Sequence, residues 1–202
     1  MNNEHSLDKD YWNQRYLNDN FGWDLGAIST PLKNYFDGLQ DKNLKILIPG
    51  AGHAYEAEYL HQNGFRKVYV CDFAQTALDT FKSRCPGFPE EHLLLADFFE
   101  LTEQGFDLMI EQTFFCAIDP RLRRSYFEKV HKLLKPGGRL VGLLFEDELN
   151  KDMPPFGGRR EIYKPLFNDL FQVHRFETCY NSVKPREGRE LFINLVNTPA
   201  KI

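Results

Sequence analysis

The chain has 202 residues, of which 42% are hydrophobic and 14% aromatic, enough for one α/β domain with a substantial core. The net charge is −4 and no Lys/Arg-rich run occurs, which argues against a nucleic-acid partner. No apolar run approaches 18 residues, and the polar N-terminus lacks a signal-peptide pattern, so neither a membrane span nor secretion is predicted. The four cysteines are scattered and the six histidines lack metal-ligand spacing, which predicts reduced thiols, a cytoplasmic location and no metal site.

Two helices are predicted before the first strand. Ser6 or Asp8 can cap a helix that extends to about Leu17, and Pro31 can begin a second helix that ends near Leu39. The chain's only two tryptophans, Trp12 and Trp23, both lie in this N-terminal region.

The most informative segment covers residues 44–72, with the sequence LKILIPGAGHAYEAEYLHQNGFRKVYVCD. An apolar run predicts a buried strand that ends at a glycine-rich turn at 49–52, where a ligand can approach the backbone closely. Helical spacing follows as far as Gly64, and a second apolar run predicts another strand with Asp72 at its end. Ligands of open α/β sheets bind at this edge, and an acid about 20 residues after the turn can accept hydrogen bonds from ribose hydroxyls. The segment therefore predicts an adenosine-containing cofactor.

The predicted helix departs from the dinucleotide-binding pattern at its start. That pattern needs a third glycine where this chain has Tyr55, and Glu56 then adds negative charge to the first turn. Both features disfavour a pyrophosphate, and they suit a ligand whose end near the turn carries an amine, as S-adenosylmethionine does. A plain strand-to-helix turn and an NAD-dependent oxidoreductase are the alternatives.

The rest of the chain continues to alternate between strands and helices. Strands are predicted at 92–96, 106–113 and 139–145, and helices at 74–84, 121–134 and near 159–170. Two last strand-like runs, 173–180 and 190–197, are joined by a hairpin-like linker. We therefore predict a single α/β domain over 1–202, with a Rossmann-like, doubly wound, seven-stranded sheet that is mostly parallel and ends in an antiparallel hairpin strand.

Several short motifs occur in an order and spacing that resemble one family. They are YWNQRY…GWDLG…TP at 11–31, IPGAG at 48–52, DFF at 97–99, FDLMIEQTFFCAIDP at 106–120, LLKPGGRL at 133–140, PPF at 154–156 and GRELF at 188–192. From about residue 11 to 197 the chain resembles class I S-adenosylmethionine-dependent methyltransferases. It resembles more closely the thiopurine methyltransferase family and its plant halide/thiol branch. The resemblance implies S-adenosyl-L-methionine as cofactor and a small-molecule methyl acceptor.

The resemblance also implies which residues bind the cofactor. Trp12, Tyr16 and Trp23 occupy the places of three aromatic residues that cover it, which makes residues 1–40 a helical lid on a sheet core at 44–197. The other expected cofactor-binding positions follow the successive strands; they are Gly50, Gly52, Asp72, Phe73, Asp97, Phe98 and Gln112.

Purely structural interpretations stand beside these roles. The two tryptophans can pack a helix onto the sheet, Asp97 can cap a turn, and Phe98 can belong to the core. The segment 114–116 is either core or the wall of an apolar acceptor pocket. Four arginines are interpreted as solvated surface residues, with anion binding as the alternative; they are Arg123, Arg159, Arg160 and Arg186.

Three residues are expected at the catalytic centre. Gln112 takes the place of a tyrosine in the halide/thiol branch and of an arginine in the thiopurine branch, which leaves the acceptor open. Methyl transfer to a soft nucleophile depends mainly on alignment, and Glu111 or Tyr16 can accept a thiol proton weakly. We expect a monomeric methyltransferase for a thiol, a thiopurine-like compound or a halide. A non-catalytic adenosyl-ligand-binding module is the remaining alternative.

Overall fold

Alternating strands and helices build one seven-stranded sheet in the part of the chain that the structure describes. The computed structural model describes residues 7–198, so positions 1–6 and 199–202 of the predicted domain lie outside it. The strands are β1 (Lys45–Pro49), β2 (Lys67–Asp72), β3 (Leu93–Leu95), β4 (Phe106–Gln112), β5 (Leu134–Phe145), β6 (Phe171–Thr178) and β7 (Glu190–Asn197). The α-helices are α1 (Lys9–Leu17), α2 (Thr30–Asp37), α3 (Tyr55–Gln62), α4 (Gln75–Arg84), α5 (Arg123–Leu133) and α6 (Arg160–Tyr163).

The strand order is β3-β2-β1-β4-β5-β7-β6. Strands β1 to β5 pair in parallel, and β7 pairs antiparallel with both β5 and β6. This topology confirms the predicted Rossmann-like sheet with an antiparallel C-terminal hairpin. The order reverses between β1 and β4, and a reversal of this kind leaves a crevice at the carboxyl ends of the strands.

Successive residues of the central strands face opposite sides of the sheet. In β1, Ile46 and Ile48 pack with buried residues of α2, α3 and α4, whereas Leu47 packs with those of α5. Because helices cover both faces, these strands are apolar almost throughout. The buried layers hold the carboxyl edge in a fixed shape.

The structure differs from the predicted elements mainly after β5. The helix predicted near 159–170 is limited to α6 and a short 3₁₀ turn, Lys164–Leu166. Pro165 has no backbone N–H to donate to the preceding turn, so the α-helix cannot continue through it. A 3₁₀ turn, Pro120–Leu122, precedes α5, and β5 begins at Leu134, the last residue of the predicted helix and five residues before the predicted start of the strand.

Three further features bear on function. No helix among residues 7–198 is long and apolar enough to cross a bilayer. Within the same residues, no three His, Cys, Asp or Glu side chains are grouped so that they could hold a metal ion. All four cysteines are buried as free thiols.

The aromatic cluster beneath α5 gives a test of core packing. Phe127 is fully buried, and its ring centroid lies 5.1 Å from that of Phe167 and 5.3 Å from that of Phe115. We expect Phe127→Ala to lower the free energy of unfolding by about 3–5 kcal/mol, because truncation leaves a cavity. The control Ile162→Ala, at a side chain 58% exposed, should change it by no more than about 0.5 kcal/mol. Urea denaturation measures both values, and equal losses would contradict the assignment of the core.

Candidate functional site

The turn after β1 brings the backbone close to two aromatic side chains. Gly50 and Gly52 have φ angles of 54° and 52°, in the left-handed region that favours glycine. A Cβ atom at Gly50 would overlap the ring of Phe114, and one at Gly52 would lie 2.6 Å from the hydroxyl oxygen of Tyr16. The turn therefore forms a cradle, a concave space bounded by the ring of Phe114 and the phenol of Tyr16. Any side chain at Gly50 or Gly52 would fill this space.

Asp72 ties this turn to the end of β2. Its Oδ2 accepts a hydrogen bond from the backbone N–H of Gly52 at 2.9 Å, and its Oδ1 accepts one from Ala74 at 2.9 Å. Burial raises the pKa of the carboxyl, and these backbone donors oppose the rise by stabilising the charged form. Each carboxylate oxygen keeps a second acceptor position. Asp72 can therefore accept a pair of hydroxyl groups from a ligand in the crevice.

The three aromatic residues that are predicted to cover the cofactor lie together over the crevice. Trp12 and Trp23 meet edge to face with ring centroids 5.5 Å apart, and Tyr16 lies 6.2 Å from Trp23. All three line one cavity of about 1590 Å³, together with Gly50 and Asp72. The helix α1 and the loop after it thus join the carboxyl edge of the sheet.

Tyr16 is placed to donate a hydrogen bond. Burial raises its pKa strongly, and the nearby carboxylates of Asp72 and Asp24 raise it further. The phenol stays protonated at neutral pH and can donate a hydrogen bond.

Asp97, Phe98 and Phe73 line the opposite part of the same cavity. The Oδ1 of Asp97 accepts the N–H of Phe99 at 2.8 Å and so caps the short 3₁₀ helix Phe98–Glu100. Phe98 is buried and its ring lies 5.4 Å from that of Phe114. Asp97 therefore caps a turn and Phe98 is part of the core, and both residues also line the cavity.

Glu111 lies at the end of β4 and is fully buried. One carboxylate oxygen accepts the N–H groups of Phe114 and Phe115, each at 2.9 Å, and the other accepts the hydroxyl of Tyr126 at 2.7 Å. Burial raises its pKa to about 7. These contacts hold the turn after β4, in which Thr113 has a φ angle of 60°. The side chain does not line the large cavity.

Gln112 faces a second, smaller cavity of about 50 Å³ behind Gly50. Its Oε1 is buried without a hydrogen-bond partner among the described residues. Glu56 lines the same space from the first turn of α3, and burial raises the pKa of this carboxyl to about 7. Trp23, Gly50 and Thr113 line both cavities, so the two spaces meet at the glycine turn.

The segment 114–116 divides between core and cavity. Phe115 is 1% exposed and packs against Tyr126, whereas Phe114 and Cys116 line the large cavity. Burial raises the pKa of the Cys116 thiol to about 12, so this wall is uncharged. The N–H of Phe156 donates to the carbonyl of Cys116 at 2.7 Å and joins the two sides of an apolar pocket. The pocket is completed by Ile118, Pro154 and Pro155.

Two arginines interpreted as surface residues are buried. Arg123 donates to the carbonyls of Phe156 and Gly157 at 3.1 Å and 3.0 Å, and Arg186 donates to the carbonyl of Trp23 at 2.5 Å. These three carbonyls lie at least 33 residues away from the arginines in the sequence, so no local pattern reveals these contacts. The exposed Arg159 and the partly exposed Arg160 instead form ion pairs with glutamates, Glu148 and Glu146 respectively.

Further residues of the cavity wall were not identified from the sequence because they belong to none of its motifs. Leu95 of β3 pairs with Asp72 of β2 and lies in the cavity wall, where it is 54% exposed. Lys151 and Arg121 also line the cavity. His53, which follows the glycine turn, pairs through Nδ1 with Asp24.

These features fit an adenosyl cofactor that carries a positive charge. The glycine cradle has no room for side chains, Asp72 offers free acceptor positions, and Gln112 and Glu56 present oxygens behind the turn. The three aromatic faces can stabilise a sulfonium, at roughly 0.5–2 kcal/mol for each contact. An apolar pocket adjoins this region within the same cavity.

The fold is shared with methyltransferases of known structure. A 1,6-didemethyltoxoflavin N1-methyltransferase from Burkholderia thailandensis, solved with its acceptor and S-adenosylhomocysteine, superposes with a TM-score of 0.78 at 17% identity, over 98% of this chain and 92% of that one. The magnesium protoporphyrin IX methyltransferase from Synechocystis PCC 6803, solved with its bound methyl donor, gives a TM-score of 0.72 at 13% identity, over 98% and 99%.

Sequence similarity identifies the family. A probable thiol methyltransferase 2 from Arabidopsis thaliana is 29% identical, over 83% of this chain and 76% of that protein. A thiopurine S-methyltransferase from Vibrio cholerae is 24% identical, over 79% and 81%. The profile of the thiopurine S-methyltransferase family matches residues 7–197, and nothing in these similarities supports an oxidoreductase or a non-catalytic module. The chain therefore belongs to the thiopurine S-methyltransferase family and is an enzyme that uses S-adenosylmethionine to methylate small sulfur nucleophiles.

Proposed function

We propose that the acceptor is a small, largely apolar thiol that binds against Phe114, Cys116 and Phe156. The observation that carries this proposal is the single cavity in which these residues adjoin the cofactor residues Gly50 and Asp72. An apolar wall favours a thiol carried on an apolar body over a fully hydrated inorganic anion.

The cofactor, when bound, supplies an electrophilic methyl group on a positively charged sulfur. Asp72 would hold the ribose, Asp97 and Phe98 the adenine, and Gln112 the amine at the methionyl end. Phe73 would pack beside the adenosine. The N-terminal aromatic residues would cover the cofactor and exclude water. Alignment of the acceptor in a dry pocket is then the main contribution of the protein.

No strong general base is needed for this transfer. A thiol with an ordinary pKa of about 8.5 can release its proton to water. We propose that Tyr16 acts as a hydrogen-bond donor and that Glu111 acts through the turn that it holds. Gln112 adjoins the transfer site through the glycine turn.

We further propose that the chain works as a single-domain monomer in the cytoplasm. Two apolar clusters extend over both faces of one sheet and draw on residues from 32 to 195, which supports a single domain. The four free thiols support a reducing compartment.

An acceptor panel tests the proposed substrate. Purified enzyme and S-adenosylmethionine would be supplied with an aryl thiol, an alkyl thiol, a thiopurine, thiocyanate and iodide, and the methylated products would be quantified by mass spectrometry. We expect kcat/KM for the aryl thiol to exceed that for iodide by at least about tenfold. Equal values, or a preference for the inorganic anions, would overturn the proposal of an apolar thiol acceptor.

Asp72→Asn tests the ribose-binding role. A charge-assisted hydrogen bond contributes about 1.5–3 kcal/mol, so we expect the Kd for S-adenosylhomocysteine to rise about 10–100-fold. Isothermal titration calorimetry measures it directly. Asp79→Asn, on the exposed face of α4, is the matched control and should leave the Kd unchanged. Equal affinities for the two variants would remove Asp72 from the site.

Glu111→Gln separates a positioning role from a basic one. The amide oxygen can still accept the N–H groups of Phe114 and Phe115, so we expect kcat within about threefold of the original enzyme and an unchanged pH profile. A loss of about 100-fold, together with loss of the limb of the profile at low pH, would show that Glu111 is the base.

The same substitution changes how stability depends on pH. Burial raises the pKa of Glu111 to about 7, above its value of about 4.3 in the unfolded chain. The folded protein therefore holds a proton that the unfolded chain releases, and its stability falls as the pH rises between these values. In Glu111→Gln the free energy of unfolding should fall less steeply from pH 4.5 to 7 in urea titrations. Glu161→Gln, on exposed α6, should keep the original slope.

A further inference from the structure

Arg186 lies in the connection between β6 and β7, yet its side chain is only 8% exposed. Its Nη2 donates to the backbone carbonyl of Trp23 at 2.5 Å, and its Nη1 donates to Oε1 of Glu190 at 3.3 Å. The guanidinium also lies over the ring of Phe145, 5.3 Å from the centroid. These contacts hold the arginine on three sides.

A buried guanidinium is costly unless it is paired and hydrogen-bonded. Glu190, at the start of β7, is 2% exposed and supplies the opposite charge. Because Glu190 is fixed by pairing between β5 and β7, it holds the arginine against the rigid sheet. The carbonyl of Trp23 is the contact that crosses to another part of the chain, 163 residues away.

The segment around Trp23 covers the cofactor cavity. The Trp23 ring contacts those of Trp12 and Tyr16, and all three line the cavity. The loop containing Trp23 has another attachment at Asp24, which pairs with His53 after the glycine turn. Arg186 therefore attaches the aromatic cover to the C-terminal hairpin, and Asp24 attaches it to the cofactor turn.

We propose that Arg186, held by Glu190, is a positioning residue that fixes Trp23 over the cofactor and so controls how long the cofactor stays bound. The inference rests on the cavity beneath Trp23 being the cofactor site. The side chain acts through a backbone carbonyl and need not touch either substrate. Loss of the contact should free the 18–29 loop and affect the cofactor before the acceptor.

Arg186→Gln removes the positive charge and shortens the side chain that carries the hydrogen-bond donor. We expect the dissociation rate and the Kd of S-adenosylhomocysteine to rise about tenfold, by stopped-flow fluorescence and calorimetry. The KM for S-adenosylmethionine should rise by a similar factor, while kcat at saturation stays within about twofold. Arg186→Lys retains a charged donor and should recover part of the affinity.

Arg189→Gln is the matched control in the same connection. Arg189 is largely exposed, and its Nε donates to Asp147 at 2.5 Å, away from Trp23. This variant should bind S-adenosylhomocysteine with the original affinity. If Arg189→Gln weakens binding as much as Arg186→Gln, the effect is a general loosening of the hairpin and the proposal fails.

A readout without cofactor separates this inference from the cofactor assignment. Since the chain has two tryptophans, Trp12→Phe leaves Trp23 as the sole emitter. In that background, Arg186→Gln should shift Trp23 emission to longer wavelength, and hydrogen exchange in the intact chain should accelerate at 18–29.

If Arg186→Gln does not fold, the same measurements would be made on Arg186→Lys and Glu190→Gln. Unchanged emission and exchange in the folded variants, with unchanged Kd, would overturn the proposal. Failure of the original enzyme to bind S-adenosylhomocysteine would instead reject the cofactor site.

Discussion

The hydrogen bond from the Gly52 N–H to the carboxylate of Asp72 is the contact on which the site depends. It joins the ends of two adjacent parallel strands, β1 and β2, at the edge where their carboxyl ends meet. Because the same carboxylate also accepts the N–H of Ala74, it sets the start of α4 as well as the glycine turn. A single buried charge thereby organises three backbone segments and still has acceptor positions for a ligand. Geometry and binding chemistry are supplied by one side chain.

The electrostatics of the site suit its cofactor. Acidic side chains surround the turn: Asp72 accepts the N–H of Gly52, and Asp24 and Glu56 line the smaller cavity behind it. These negative groups would repel a pyrophosphate, and they would attract a ligand that carries an ammonium and a sulfonium group. The wall formed by Phe114, Cys116 and Phe156 is different in character, with an uncharged thiol and aromatic rings, while charged side chains of the 119–121 and 151–152 segments line the same cavity. This contrast is the basis on which we propose a cationic donor at the turn and a soft, poorly hydrated acceptor beside it.

The sequence predicts best what is encoded locally. The strand, turn, helix and acid of residues 44–72 follow one another, so their spacing alone places Asp72 beside Gly52. Phe114 and Phe115 are adjacent and chemically identical, and the turn at Thr113 decides which one faces the cavity. The buried state of Arg186 depends on a carbonyl in another part of the chain, which no local pattern can predict. Local periodicity overestimates the length of the helix after residue 159, because Pro165 interrupts the helical hydrogen bonding.

The packing of Phe114 against Gly50 has a consequence for how such enzymes diverge. The ring occupies the volume that any side chain at Gly50 would need, so one face of the proposed acceptor pocket is also the outer wall of the glycine turn proposed to hold the cofactor. A smaller residue at 114 would enlarge the acceptor pocket and at the same time remove support from the turn. Acceptor range and cofactor affinity are therefore mechanically linked at this position. Divergence toward larger acceptors is easier through Pro154, Pro155 and Phe156, which line the cavity from a separate loop.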